Sequence, residues 1–333
     1  LDSLPPDGQV RWYRASCQLK SGAYREAEQG FSELLAQPDW VSGVSFEILA
    51  LTRLRLALSL HWQDRWVEAM QVLLPVLLDC SSREDLPEIP IQYGNLCLEQ
   101  GMADHWLKLV DRLPATTRSH PVVRCTTAFA CLQRGQLRRG WAEHEARFGV
   151  PGLGCPLPAD VPRFTLGSDR QGNHLLVVAD QGFGDMLFCL RFMSALRQHC
   201  AKLSIVGHAV ITPLFDASGL FDQVLTMPTR IPESVTSVLP LMSAAHILNN
   251  EFPETASLAS IRFCLDQAPP WTRCMGDQLR SRPLVALNWS GDQSKESPFS
   301  FGIRGRSFSL EILASFVPSL QLCDLVAVQV GDA

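Results

Sequence analysis

Residues 177–192 read VVADQGFGDMLFCLRF. An apolar strand-type run ends at Asp180, two glycines flank Phe183, and Asp185 opens an apolar stretch with helical spacing. Strand, glycine turn and helix in that order open a βαβ unit, and in such sheets the ligand side lies at the carboxyl ends of the strands. Gly182 and Gly184 suit a turn that brings backbone N–H groups close to a ligand. The third glycine of a dinucleotide fingerprint is missing, however, and so is the Lys of a P-loop, so neither nucleotide motif is met. Asp185 then has two open roles. It is a helix cap, worth about 1 kcal/mol, or a carboxylate that takes part in chemistry.

Downstream of this turn the texture stays the same. LSIVGH (203–208), DQVLTM (222–227) and SVLPLM (237–242) join HLLVVAD (174–180) as short apolar runs that fit buried strands. Helix-like stretches at 185–199, 211–218 and 243–250 sit between or after them, which predicts parallel βαβ units. A proline break, QAPPW at 267–271, precedes a further strand PLVALNW (283–289), a long polar loop, a helix from about Leu310 and a strand LVAVQV (325–330).

Upstream, residues 151–170 are rich in Pro and Gly and are read as a linker. From residue 8 to 150 the pattern is helical and repeats itself. Gly22 and Tyr24 precede Ala27, Phe31 and Leu34; Asp64 and Trp66 precede Ala69, Leu73 and Val76. A small Ala lets two helices approach while large residues fill the gap, as in helix–turn–helix repeats. The separation of Ala27 from Ala69, 42 positions, exceeds the 34 of an ideal tetratricopeptide repeat, so an insertion is expected at PDWVSGVS. Weaker echoes at YGNLCLEQGMADHW and AFACLQRGQLRRGW extend the expectation to four helical hairpins.

Composition narrows the function classes. With 29 Lys plus Arg against 34 Asp plus Glu, a net charge of −5 gives no overall electrostatic case for nucleic acid or an anionic membrane. The eleven cysteines are scattered and form no C-x-x-C pair, so they are read as reduced thiols of a cytoplasmic protein, without a metal cluster. No apolar run is long enough to span a bilayer.

A second constellation lies in LNWSGDQSKESPFSFGIRGRSFSL, residues 287–310. Lys295, Arg304, Arg306 and Ser307 gather ahead of a helix, which suits either an oxyanion site or a solvated basic loop with a serine cap. Trp141, Glu145 and Arg147, on the last helical segment, are expected to join the helices to the first βαβ unit.

GWAEHEARF (140–148), ADQGFGDMLFCLRF, LPLMSAAHIL (239–248), VALNWSGD (285–292) and GRSFSLEIL (305–313) occur in an order that resembles bacterial tetratricopeptide-repeat proteins fused to a heptosyltransferase-like glycosyltransferase. The resemblance implies an α plus α/β chain: tetratricopeptide-like helical repeats (1–150), a linker (151–170), a Rossmann-like acceptor domain of GT-B type (171–268), and the beginning of a second Rossmann-like, nucleotide-sugar domain (282–333). It implies transfer of a sugar from a nucleotide-diphosphate sugar to a protein, peptide or glycan acceptor guided by the repeats, with no cofactor and no metal. Asp185 would be the general base, with Gln181, Gly182, Gly184 and His246 on the acceptor side and Lys295, Arg306 and Ser307 steadying the donor diphosphate. Two departures stand out. Asp180 replaces the family's usual Glu, and the second domain is present only from Pro283 onward, so this chain is expected to be an incomplete portion. The alternative is a non-catalytic repeat scaffold that binds a protein or peptide partner.

Overall fold

The computed structural model describes residues 6–80, 86–167, 171–249, 284–287, 310–316 and 324–327. The chain divides into two compact units, Leu1–Phe263 and Cys264–Ala333. The first opens with helices α1 (Pro6–Lys20), α2 (Tyr24–Leu35), α3 (Pro38–Gly43), α4 (Phe46–His61), α5 (Trp66–Cys80), α6 (Glu88–Glu99), α7 (Ala103–Val110), α8 (Ala115–Ser119), α9 (Pro121–Gln133) and α10 (Leu137–His144). α1 packs on α2, α4 on α5, α6 on α7 and α9 on α10; further contacts of α2 with α4, α5 with α6 and α6 with α9 join these pairs. Ala27, Phe31 and Leu34 of α2 are fully buried, and Ala69, Leu73 and Val76 of α5 are buried alike, so equivalent positions of the two sequence units do the same work.

One turn geometry recurs between paired helices. Gly22, Asp64, Gly101 and Gly135 adopt left-handed φ values of +82°, +61°, +68° and +69°. At each, the next amide (Ala23, Arg65, Met102, Gln136) donates to the carbonyl five residues back (Gln18, Leu60, Cys97, Cys131), the closure of a Schellman helix end. The turns follow one another at 42, 37 and 34 positions. The insertion expected at PDWVSGVS is the short helix α3, which tucks Trp40 into the helical core.

The same unit then forms a parallel sheet from β1 (His174–Val178), β2 (Lys202–Gly207), β3 (Gln223–Thr226) and β4 (Ser237–Pro240), in the order β3-β2-β1-β4. Leu176 of β1 lies opposite Ser204 of β2 and Val238 of β4. Helices α11 (Phe183–Cys189), α12 (Met193–Leu196), α13 (Thr212–Ala217) and α14 (Ala244–Ile247) accompany it. The stretch 185–199, expected as one helix, is divided by 3₁₀ turns at 190–192 and 197–199. Packing sets this winding: Cys189, Leu190, Phe192, Met193 and Leu196 all bury, a wider stripe than the roughly 100° face of an amphipathic helix.

The strands alternate in the expected way. Leu175, Val177, Leu203, Ile205 and Leu239 meet α11 to α14, where Trp141 of α10 joins the same core. Leu176, Val178, Val206 and Val238 point the other way and are covered by Cys155, Leu157 and Val161. The stretch read as a linker is therefore a layer of the fold. It also extends the sheet, since Phe164 N donates to Val238 O at 2.8 Å and Val238 N to Pro162 O at 3.0 Å.

In the second unit, β5 (Leu284–Leu287) and β6 (Asp324–Ala327) pair in parallel, and α15 (Leu310–Phe316) lies between them in sequence. No helix among the described residues is long and apolar enough to cross a membrane.

Candidate functional site

The site begins where β1 ends. Ala179 N still donates to Val206 O at 2.9 Å, and Asp180 follows with its side chain turned into the protein, 3% exposed. Gln181 then takes a left-handed φ of +70°, and its Nε2 donates to Leu153 O at 2.6 Å. Gly182 is extended (φ −75°, ψ 157°) and caps α11, whose first bond runs from Met186 N to Gly182 O at 3.0 Å. The bend is thus made by Gln181 and not by a glycine. Gly184 has nothing among the described residues within 4 Å of where a Cβ would stand, whereas a Cβ on Gly182 would crowd Asp185 Oδ2 at 3.1 Å.

Asp185 sits in the first turn of α11, exposed, with Oδ2 accepting from Gly182 N at 3.3 Å. Among the described residues that long contact is its one hydrogen bond, so Asp185 braces the Gly182 cap weakly and keeps Oδ1 uncommitted. Phe183 beside it is 46% exposed. His246, half-buried on α14, leaves the end of β4, the parallel neighbour of β1, so its segment and that of Asp185 emerge at one edge of the sheet.

Beneath these turns lies a buried polar ring. Arg147, 0% exposed, reaches from the 3₁₀ turn 145–149 that follows α10. Its Nη1 donates to Glu145 Oε1 at 2.6 Å and to His144 O at 3.3 Å; its Nη2 donates to Asp180 Oδ2 at 3.1 Å and to Ser243 Oγ at 2.8 Å. Asp180 Oδ1 accepts from Met242 N at 2.9 Å, and Ser243 Oγ donates to Glu145 Oε1 at 2.8 Å. The guanidinium also lies 4.2 Å from the centre of the Phe148 ring, which Arg163 approaches at the same distance. The expected joining role of Glu145 and Arg147 is therefore met, with Asp180, Met242 and Ser243 as the partners.

Burial pushes the Asp180 carboxyl above the usual carboxylate range, opposed by the Met242 N–H and by Arg147. His144, packed between the rings of Trp141 and Phe129, is pushed down to about 4 by burial first and by the Arg147 charge second. Loss of water leads both shifts, and the guanidinium charge adds to it at His144 and works against it at Asp180.

Of the residues expected to form the site, Asp185, Gln181, Gly182, Gly184 and His246 fall at one sheet edge. Gln181 gives one N–H of its amide to Leu153 O. Lys295, Arg306 and Ser307 lie outside the described residues. The sequence did not single out Asp180 or Ser243 as anchors, since nothing local marks an acid at a strand end or a serine before a short helix as partners of one buried arginine. Among the described residues no group of three or more His, Cys, Asp or Glu side chains could hold a metal ion. No protein-family model, curated protein or solved structure matches this chain.

Proposed function

We propose that the chain carries tetratricopeptide-like repeats and the acceptor side of a GT-B type glycosyltransferase, which moves a sugar from a nucleotide-diphosphate donor to a protein, peptide or glycan hydroxyl in the cytoplasm. The observation that carries this is Asp185: an exposed carboxylate with one oxygen uncommitted among the described residues, on a glycine turn at the carboxyl end of an inner parallel strand. Glycosyl transfer passes through an oxocarbenium-like state and needs a proton taken from the attacking hydroxyl. A carboxylate so placed supplies that general-base help, and Lys295, Arg306 and Ser307 are proposed to steady the charge that develops on the departing diphosphate. The recurring left-handed turns and the sheet order β3-β2-β1-β4 support the repeat and Rossmann-like parts of the proposal.

The test is Asp185→Asn in the natural chain at its full extent, assayed with a panel of nucleotide sugars. Transfer should fall by about 10²- to 10⁴-fold with the fold intact; transfer at the parent rate would remove Asp185 from the chemistry. A scaffold without catalysis is the second proposal, favoured by a groove of about 370 Å³ on α2, α4 and α5 lined by Glu28, Arg53, Arg65 and Glu68. Calorimetry separates the two, because specific micromolar binding of a nucleotide sugar contradicts a pure scaffold.

A further inference from the structure

We propose that Arg147 is a positioning residue: it holds the exit turns of β1 and β4 in one fixed arrangement, so the end of the helical array belongs to the candidate site. Arg147 is fully buried and spends five donor contacts on three separate chain segments: His144 O, His144 Nδ1 and Glu145 beside it, Asp180 after β1, and Ser243 after β4. The ring closes without it at two further points, Met242 N to Asp180 and Ser243 Oγ to Glu145.

A planar fork of donors fixes direction as well as distance, which a lysine or an apolar side chain does not. Stability alone is a poor reason for such a ring, because well-packed apolar residues of the same volume serve a buried core equally well or better. Its location gives the better reason. Asp180 stands two residues before Gly182 and five before Asp185, and Ser243 stands three before His246. A change in the angle at Asp180 swings the turn that carries Asp185, and a change at Ser243 swings α14. Both turns are anchored on one guanidinium and tied to each other through Met242 N and Asp180, and the guanidinium adds the link to the end of the helices. What the turns do chemically rests on the acceptor-site proposal above; that they are held by Arg147 does not.

Amide hydrogen exchange on the whole chain tests the geometry independently of any transfer assay. In Arg147→Lys, which keeps the charge and loses the fork, the amides of 181–186 and 242–247 should exchange about tenfold faster or more, while those of 175–178 and 203–206 stay within about twofold of the parent. Ser243→Ala, which removes one hydroxyl and keeps the ion pair, should speed only 242–247 and serves if the lysine variant does not fold. Unchanged exchange at both turns in both variants overturns the proposal, as does an increase spread equally over the turns and the strands. Asp185→Asn transferring sugar at the parent rate would remove the acceptor-site reading and leave the exchange result standing.

Discussion

Two kinds of turn in this chain use the same backbone conformation and hold it by opposite means. In the helical array, Gly22, Gly101 and Gly135 are left-handed, and each turn closes on a backbone bond to a carbonyl five residues earlier. At the end of β1 the left-handed residue is Gln181, held by a carbonyl 28 positions upstream and by the buried Asp180 next to it. The first kind of turn is written locally and can be repeated along a chain. The second exists only when three distant segments have come together, so it is specified once and carries the exposed groups.

That contrast makes predictions of graded size. The largest effect belongs to the distant network. Asp180→Ala strips Arg147 of one of its two carboxylates and frees Met242 N, and breaking a buried pair in this way costs about 3 kcal/mol or more. Urea unfolding followed by tryptophan fluorescence measures it; a loss no greater than that of a turn glycine would erase the distinction between the two kinds of turn.

Next in size is a pH effect confined to the same region. His144 titrates at about 4 in the folded chain against 6.5 for a free imidazole, so the unfolded state takes up the proton first. Its contribution is complete above pH 6.5 and is lost as pH falls through 4, a swing of about 3 kcal/mol from 1.36 kcal/mol per unit. Asp180, raised in the folded state, works in the opposite sense, so the parent alone understates the swing. Comparing the parent with His144→Leu across pH 4 to 7 isolates it: the variant's stability should fall less towards acid, and parallel curves would refute the assignment.

The smallest effects compare the turns directly. Gly135→Ala meets nothing within 4 Å, so only the left-handed backbone resists it, at about 1 kcal/mol. Gln181→Gly relaxes the same conformation while losing the bond to Leu153, and the two terms should cancel to within about 0.5 kcal/mol. Thermal melts of the two variants rank them.

The helical pairs and the strands were legible because their signals are periodic. Ala27 and Ala69 mark the helix approaches, and the apolar runs that became β1 to β4 are bounded by polar turns. Asp64 stands in the second unit where Gly22 stands in the first, and it makes the same left-handed turn without a glycine. Asp185 reads in the sequence as the residue that caps the helix; Gly182 is the N-cap, and Asp185, three positions further on, accepts from the Gly182 N–H. The bend before it was assigned to the glycines, whereas Gln181 makes it, since a left-handed glutamine is set by a partner and not by its own preference. The covering role of 151–167 was hidden for the same reason: a Pro- and Gly-rich composition describes a loop equally well whether it crosses solvent or lies on a sheet.

That covering stretch bears on how such a chain can change over generations. The boundary between helices and strands near residue 150 looks like a natural place to exchange one part for another. Yet Cys155, Leu157 and Val161 shield the second face of the sheet, Leu153 pins Gln181, and Arg147 anchors both exit turns. Helices brought in without an arginine at position 147 would leave Asp180 and Ser243 without that anchor, and loss of Cys155, Leu157 and Val161 would bare Leu176 and Val178. An exchange that keeps residues 144–167 whole keeps the guanidinium, the pin on Gln181 and the cover of the sheet together.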